Sequence, residues 1–283
     1  YMKIAKDQRY SFLLESVEQA DVIGRYSFLG ANPSIVFRSK GRQITIVREE
    51  GSETFESDSP LDELRRLMSV YKPVTVTGVP SFHGGAVGYV AYDEVRFFER
   101  LPDNNPDTLN LPDLYFVITD TILIFDHVRN KLMIVSNAHV ANDLEKAYEQ
   151  AVKKIDAIEQ QLKRPLVVPT ERVHSGQVDQ HFRSSFTKDG FCDAVRKAKE
   201  YICAGDVFQV VRSQRFEREV YASPINLYRA LRCINPSPYM TLVRFPEFCL
   251  VGSSPEVMTR VQGRSAMVRP IAGTRRRGES AQE

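Results

Sequence analysis

The chain opens with short runs in which apolar and polar residues alternate, the period-two pattern of half-buried strands. Tyr10 to Leu14, Arg25 to Leu29, Ile35 to Arg38 and Gln43 to Val47 are such runs, punctuated by Gly24, Asn32-Pro33 and Gly41. The period then changes. Ser59-Pro60 reads as an N-cap followed by proline at the first helical position. Leu61, Leu64, Leu67, Met68 and Tyr71 follow at helical spacing. Leu114 to Phe125 and Lys131 to Val135 predict a hairpin that turns around His127 to Asn130. Val140 to Leu162 predicts a long, charged, amphipathic helix.

Between 163 and 186, prolines and polar residues replace any apolar period, which predicts a linker or mobile loop. Thr187 then caps a helix whose Phe191, Val195, Ala198 and Ile202 share a face, with Gly205 as its stop. Val207 to Phe216 predicts a strand. Ser223-Pro224 opens a helix that Asn235-Pro236 ends. Tyr239 to Phe245, Phe248 to Ser253, Glu256 to Val261 and Ser265 to Ile271 predict an antiparallel meander, turning at Pro246-Glu247 and Gln262-Gly263. The expectation is an α+β fold of packed antiparallel sheets flanked by helices.

At 283 residues the chain can bury a large core in one or two domains. The apolar fraction of 42% and charged fraction of 26% suit a soluble globular protein. A net charge of +2 gives no global field for nucleic acid or an anionic membrane. No apolar run reaches transmembrane length and no signal peptide is legible. Cys192, Cys203, Cys233 and Cys249 show neither metal-ligand nor disulfide spacing, so they read as small core residues in a reducing compartment. The start at Tyr1-Met2 and the finish at Gln282-Glu283 lack opening and closing signals, which leads us to expect a chain cut at both ends.

Three segments carry candidate chemistry. In Arg269-Pro270-Ile271-Ala272-Gly273-Thr274, a strand runs into a small-residue corner. Gly273 admits close backbone approach to a ligand, and Thr274 offers a donor and an acceptor. Arg269, Arg275, Arg276 and Arg277 make the corner electropositive; it suits an anionic small molecule, or is a plain turn with solvated arginines. Gln209 lies between valines in the predicted strand and needs partners, because an unpaired buried amide costs about 1–3 kcal/mol. It is either a structural glutamine or one that faces a ligand. Gly252-Ser253-Ser254-Pro255-Glu256 puts one carboxylate at a bend, as a general acid or as a surface glutamate. Gly84-Gly85-x-x-Gly88 lacks the spacing and following helix of a dinucleotide fingerprint.

These segments occur with Leu13-Leu14-Glu15-Ser16, Phe82-His83-Gly84-Gly85-Ala86-Val87-Gly88-Tyr89 and Asn235-Pro236-Ser237-Pro238-Tyr239-Met240. In that order and spacing the chain resembles the chorismate-utilising enzymes, within them the anthranilate synthase component I subfamily. Two positions choose the subfamily. Gln209 stands where water-adding relatives carry an activating lysine, which favours ammonia as the nucleophile. Ala272 stands where aminodeoxychorismate synthases usually carry a lysine proposed to attack the substrate, which closes the covalent route.

The resemblance implies an anthranilate/aminodeoxychorismate synthase-like fold, incomplete at its C-terminal side. Residues 1–162 would be the regulatory portion, 163–186 the linker, and 187–283 the first part of the catalytic domain. Glu256 would protonate the departing C4 hydroxyl of chorismate, and Gln209 would orient substrate or ammonia. Ala272, Gly273 and Thr274 would line the substrate pocket. Mg2+ is implied as cofactor, with its ligands beyond Glu283, so a protein ending there is expected to be inactive. A glutamine amidotransferase subunit, component II, would supply ammonia in the cytoplasm. Leu14, Glu15, Ser16, Tyr26, Ser27, Pro238, Tyr239 and Met240 would bind tryptophan as feedback inhibitor. Rival readings are aminodeoxychorismate synthase component I and a non-catalytic fragment that binds tryptophan or the amidotransferase.

Overall fold

A computed structural model describes residues 1–17, 24–140, 143–166, 182–271, 276 and 278–280. The first stretch folds as β1 (Ser11–Glu15), β2 (Tyr26–Ala31), β3 (Ile35–Lys40), β4 (Gln43–Arg48) and β5 (Gly51–Glu56). Helix α1 (Pro60–Ser69), β6 (Gly85–Val90) and a 3-10 helix (Tyr92–Phe97) follow. Next come β7 (Leu114–Thr119), β8 (Thr121–Asp126), β9 (Lys131–Ser136) and α2 (Leu144–Lys163). The remainder supplies β10 (Arg183–Ser184), α3 (Lys188–Ala204), β11 (Phe216–Glu217) and α4 (Pro224–Ile234), then β12 (Tyr239–Arg244), β13 (Cys249–Ser254), β14 (Arg260–Gln262) and β15 (Ser265–Met267).

Two compact units result: Tyr1–Val168 with Pro224–Glu283, and Pro169–Ser223. The first holds a six-stranded sheet, ordered β13-β12-β1-β2-β8-β9, and a five-stranded sheet, ordered β5-β4-β3-β7-β6. Every pairing in both is antiparallel. The sheets face each other through Phe12, Ile122, Ile124 and Val243 on one side and Val36, Val87, Tyr115 and Val117 on the other. The outer face of the five-stranded sheet buries Phe37, Ile44 and Ile118 under Leu64 of α1. The outer face of the six-stranded sheet is covered by helices, with Ile158 and Leu162 of α2 near Leu29 and Leu123, and Tyr228 of α4 on Met240 and Leu242. This is the α+β layering that the hydrophobic pattern predicts.

Gly88 shows why the glycines before β7 are needed. A Cβ there would lie 1.9 Å from the carbonyl oxygen of Tyr115, so only hydrogen lets β6 approach β7. The Gly84-Gly85-x-x-Gly88 run is therefore a strand-packing device.

Several expectations need correction. The apolar run from Leu114 to Phe125 is not one strand: β7 belongs to the five-stranded sheet and β8 to the six-stranded one, with the crossover at Asp120. β5 and β6 were not among the predicted strands, because β5 is mostly exposed polar sequence and β6 is glycine-rich. Helix α2 starts at Leu144, where the Asp143 side chain accepts from Lys146 N, and not at Val140. The last two meander strands shrink to β14 and β15, which pair only with each other.

The largest difference lies in the second unit. Val207 to Phe216 forms no strand beyond Phe216 itself, which with Glu217 pairs to β10. A strand needs a neighbour for its ladder, and among the described residues this segment has none before Phe216. Helix α3 does form, capped as predicted: Thr187 Oγ1 accepts from Gly190 N at 3.1 Å, and Gly205 takes the left-handed conformation at φ 84°. No α3 side chain is buried among the described residues. Cys192 and Cys203 of α3 are accordingly exposed, Cys233 of α4 is exposed too and Cys249 is half-buried, so they are not the core residues expected. All four are free thiols.

Candidate functional site

Two motifs far apart in sequence meet at one end of the six-stranded sheet. Glu15 ends β1 and pairs with Met240 on β12 and with Ser27 on β2. Val17 N donates to Ser237 O at 3.1 Å and extends the contact beyond the ladder. Because opposed residues share a face, Glu15, Ser27 and Met240 all point to the layer that α4 covers. Leu14 and Tyr26 point the other way and pack against the core between the sheets.

The Glu15 carboxylate is the polar centre of this cluster. Its Oε2 accepts from Tyr228 Oη at 2.5 Å and stands 3.2 Å from Arg232 Nε. Its Oε1 accepts from Ser27 Oγ at 3.4 Å, and Ser27 Oγ is also 2.7 Å from His127 Nε2. Tyr228 and Arg232 sit one turn apart on α4, which puts both over the same carboxylate. Burial first, and then the hydrogen bond to Glu15, push the Tyr228 phenol far above its ordinary value, so it remains a donor. Beside this cluster, Ser16 Oγ is buried with no partner. Such a hydroxyl costs about 1–3 kcal/mol unless something satisfies it, and a bound polar ligand would do so.

The apolar side of the cluster is unevenly available. Met240 is 0% exposed and accepts a contact from Ser237 Oγ at 3.4 Å through its sulfur. Pro238 is half-buried and reaches solvent, whereas Tyr239 is exposed but, one residue before Met240 on β12, points to the opposite face from Glu15. The sequence motifs named Glu15, Ser27 and Met240 but missed Tyr228, Arg232 and His127. A tyrosine and an arginine at i and i+4 on an amphipathic helix were the available signal for the first two.

Glu256 is half-buried after β13. Its Oε1 accepts from Ile271 N at 3.0 Å, which ties the bend to the segment after β15. Ser254 Oγ donates to Glu256 O at 3.0 Å and fixes the turn. Gln209 lies in the second unit, in irregular exposed chain, with neighbouring Phe208 95% exposed. The strand context expected for Gln209 is therefore absent, for the same lack of a ladder partner. Ala272, Gly273 and Thr274 lie outside the described residues.

His83 and Asn137 form a local lock: Nδ1 meets Oδ1 at 3.1 Å while Asn137 Nδ2 donates to His83 O at 2.7 Å. Among the described residues no group of three or more His, Cys, Asp or Glu is placed to hold a metal ion. The described side chains thus do not by themselves make a Mg2+ site. No described helix is long and apolar enough to cross a membrane.

The profile of chorismate binding enzymes matches residues 10–283. The chain belongs to this family. Among curated relatives, anthranilate synthase component 1 of Acetivibrio thermocellus is 39% identical over 276 residues, which are 96% of this chain and 56% of that protein. The protein of the same name from Thermus thermophilus is 41% identical over 285 residues, 100% of this chain and 58% of that protein. The crystal structure of anthranilate synthase component I from Streptococcus pneumoniae superposes with a TM-score of 0.71 at 29% identity, over 87% of this chain and 54% of that one. The chain therefore spans a little over half the length of these proteins.

Proposed function

We propose that the protein carrying this chain is component I of an anthranilate synthase, which converts chorismate and ammonia to anthranilate and pyruvate. The observation that carries this reading is identity of 39% to 41% over nearly the whole chain to proteins of that name. Ala272 supports it over aminodeoxychorismate synthase, since a methyl side chain offers no nucleophile. In this reading residues 187–283 contribute to the catalytic side. Glu256 is the acid that protonates the departing hydroxyl, Gln209 orients substrate or ammonia, and Ala272, Gly273 and Thr274 line the pocket. Mg2+ is the proposed cofactor, a cytoplasmic glutamine amidotransferase subunit the proposed ammonia source. The test is an assay of the whole protein with chorismate, ammonium and Mg2+, read by anthranilate fluorescence. Formation of aminodeoxychorismate, or of no aromatic amine, overturns it.

Residues 1–162, with the β12 motif, form the proposed regulatory side, and the Glu15 cluster is its tryptophan site. The pairing of Glu15 with Met240 supports this, because it joins the two motifs into one cluster of donors, a carboxylate and apolar surface. The indole ring of tryptophan would rest on Pro238. The carboxylate of tryptophan would draw on donors such as Ser16 Oγ, and its ammonium on Glu15. By linkage, bound tryptophan would weaken chorismate binding by the same factor as chorismate weakens tryptophan. Calorimetry with tryptophan on wild type and Ser16→Phe tests the site; equal affinities overturn it.

A further inference from the structure

The Glu15 carboxylate already has a cation. Arg232 Nε stands 3.2 Å from Oε2, with 44% of the arginine side chain exposed against 15% of the glutamate. Oε2 also carries the Tyr228 hydrogen bond at 2.5 Å, and Oε1 the longer bond from Ser27 at 3.4 Å. A carboxylate has no donors of its own, and its best acceptor positions on the α4 side are taken. An incoming ammonium must therefore share Oε2 with a like charge, use the more weakly held Oε1, or move the guanidinium aside. Arg232 is the component most able to move: it ends a long, half-exposed stem in the last turn of α4, whereas Tyr228 is 1% exposed and locked in the core beneath it.

We propose that Arg232 is a resident competitor for the α-ammonium of an amino-acid ligand, and that its pairing with Glu15 sets how much ligand is needed to occupy the site. This rests on the reading of the Glu15 cluster as a tryptophan site. In the free protein, Arg232 neutralises Glu15 and pins the end of α4 to β1. On binding, the ammonium takes over the carboxylate and the guanidinium turns to solvent, which frees the end of α4 just ahead of the Asn235 to Met240 motif. The competition is purely ionic, so it acts only on ligands that carry an ammonium.

The experiment is calorimetry at low salt on wild type, Arg232→Met, Arg232→Gln and Arg232→Lys. The ligands are tryptophan and indole-3-propionate, which lacks only the ammonium and is read by displacement of tryptophan. Because a half-exposed ion pair is a modest competitor, the Met and Gln variants should bind tryptophan about two- to five-fold more tightly. They should bind indole-3-propionate with unchanged affinity, and the Lys variant should resemble wild type. The gain should shrink as salt screens the pair. Unchanged or weaker tryptophan binding by Arg232→Met, or equal shifts for both ligands, overturns the role of Arg232 while leaving the site intact. A wild-type protein that binds no tryptophan overturns the site reading itself.

Discussion

Tyr115 on β7 and Phe245, just beyond β12, stack with ring centroids 4.1 Å apart and planes 25° apart. The five-stranded and six-stranded sheets are joined at this pair. Phe248 closes over it, 5.0 Å from Phe245 and 6.2 Å from Tyr115. Phe245→Ala should empty the junction and cost about 3–5 kcal/mol, as truncation of a buried aromatic does. Urea unfolding checks this: the midpoint should fall while the slope stays near wild type.

Glu94 is 2% exposed, and neither carboxylate oxygen has a hydrogen-bond partner. Burial first, and then the charge of Asp113, raise it from the ordinary carboxylate range to about 7. The folded form thus holds its proton more tightly than the unfolded form. Its contribution to stability is fully present below the unfolded value near 4.5 and is lost as pH rises through about 7. Glu94→Met removes both the charge and the unpaired oxygens. It should be more stable than wild type at pH 8, by roughly 1–3 kcal/mol, with the gap closing by pH 5. Thermal melts of both proteins across that range decide it; parallel profiles contradict the assignment.

Gly88→Ala asks the backbone of Tyr115 to move, since the new Cβ would also fall 2.7 Å from Phe116 Cα. Backbone in a paired strand cannot yield as a side-chain tip can. The loss should be at least about 1–3 kcal/mol. A melt within a degree of wild type would show that β6 can shift away from β7.

Glu256→Gln keeps an acceptor for Ile271 N but removes the proposed proton donor. In the whole enzyme it should lower the rate about 10²–10⁴-fold with chorismate and ammonium, leaving the melting temperature near wild type. A near-wild-type rate removes Glu256 from the acid role.

What could be read ahead of the coordinates was mainly what neighbouring residues decide. Thr187 and Gly205 marked both ends of α3 because a cap is built within one turn. The switch at Asp120 left only a short polar break, Thr119-Asp120-Thr121, between two mostly apolar strands, and tertiary packing assigns them to different sheets. Val207 to Phe216 had strand composition, but β-propensity expresses fit to a sheet and not a backbone preference of its own. For the candidate site, resemblance located Glu15 and Met240, and the helix from Ser223-Pro224 to Asn235-Pro236 was legible, but its docking over them was not. Tyr228 and Arg232 gain meaning only once α4 lies over β1. Glu94 was missed because a glutamate next to Tyr92, Val95 and Phe97 looks like the polar face of a short helix.

The position of β1 between β2 and β12 has a consequence for the birth of the protein. Glu15 and Tyr228 are 213 positions apart. At roughly 5–20 residues per second, a ribosome needs about 10–40 s after making Glu15 before its partner on α4 exists. Throughout that interval one edge of β1 is an open ladder and the Glu15 carboxylate has no cation from α4. The nascent chain therefore passes through a stage in which its largest sheet lacks β12 and β13 and the β1 edge is exposed to other strands, and chaperone capture in that window would favour the correct closure.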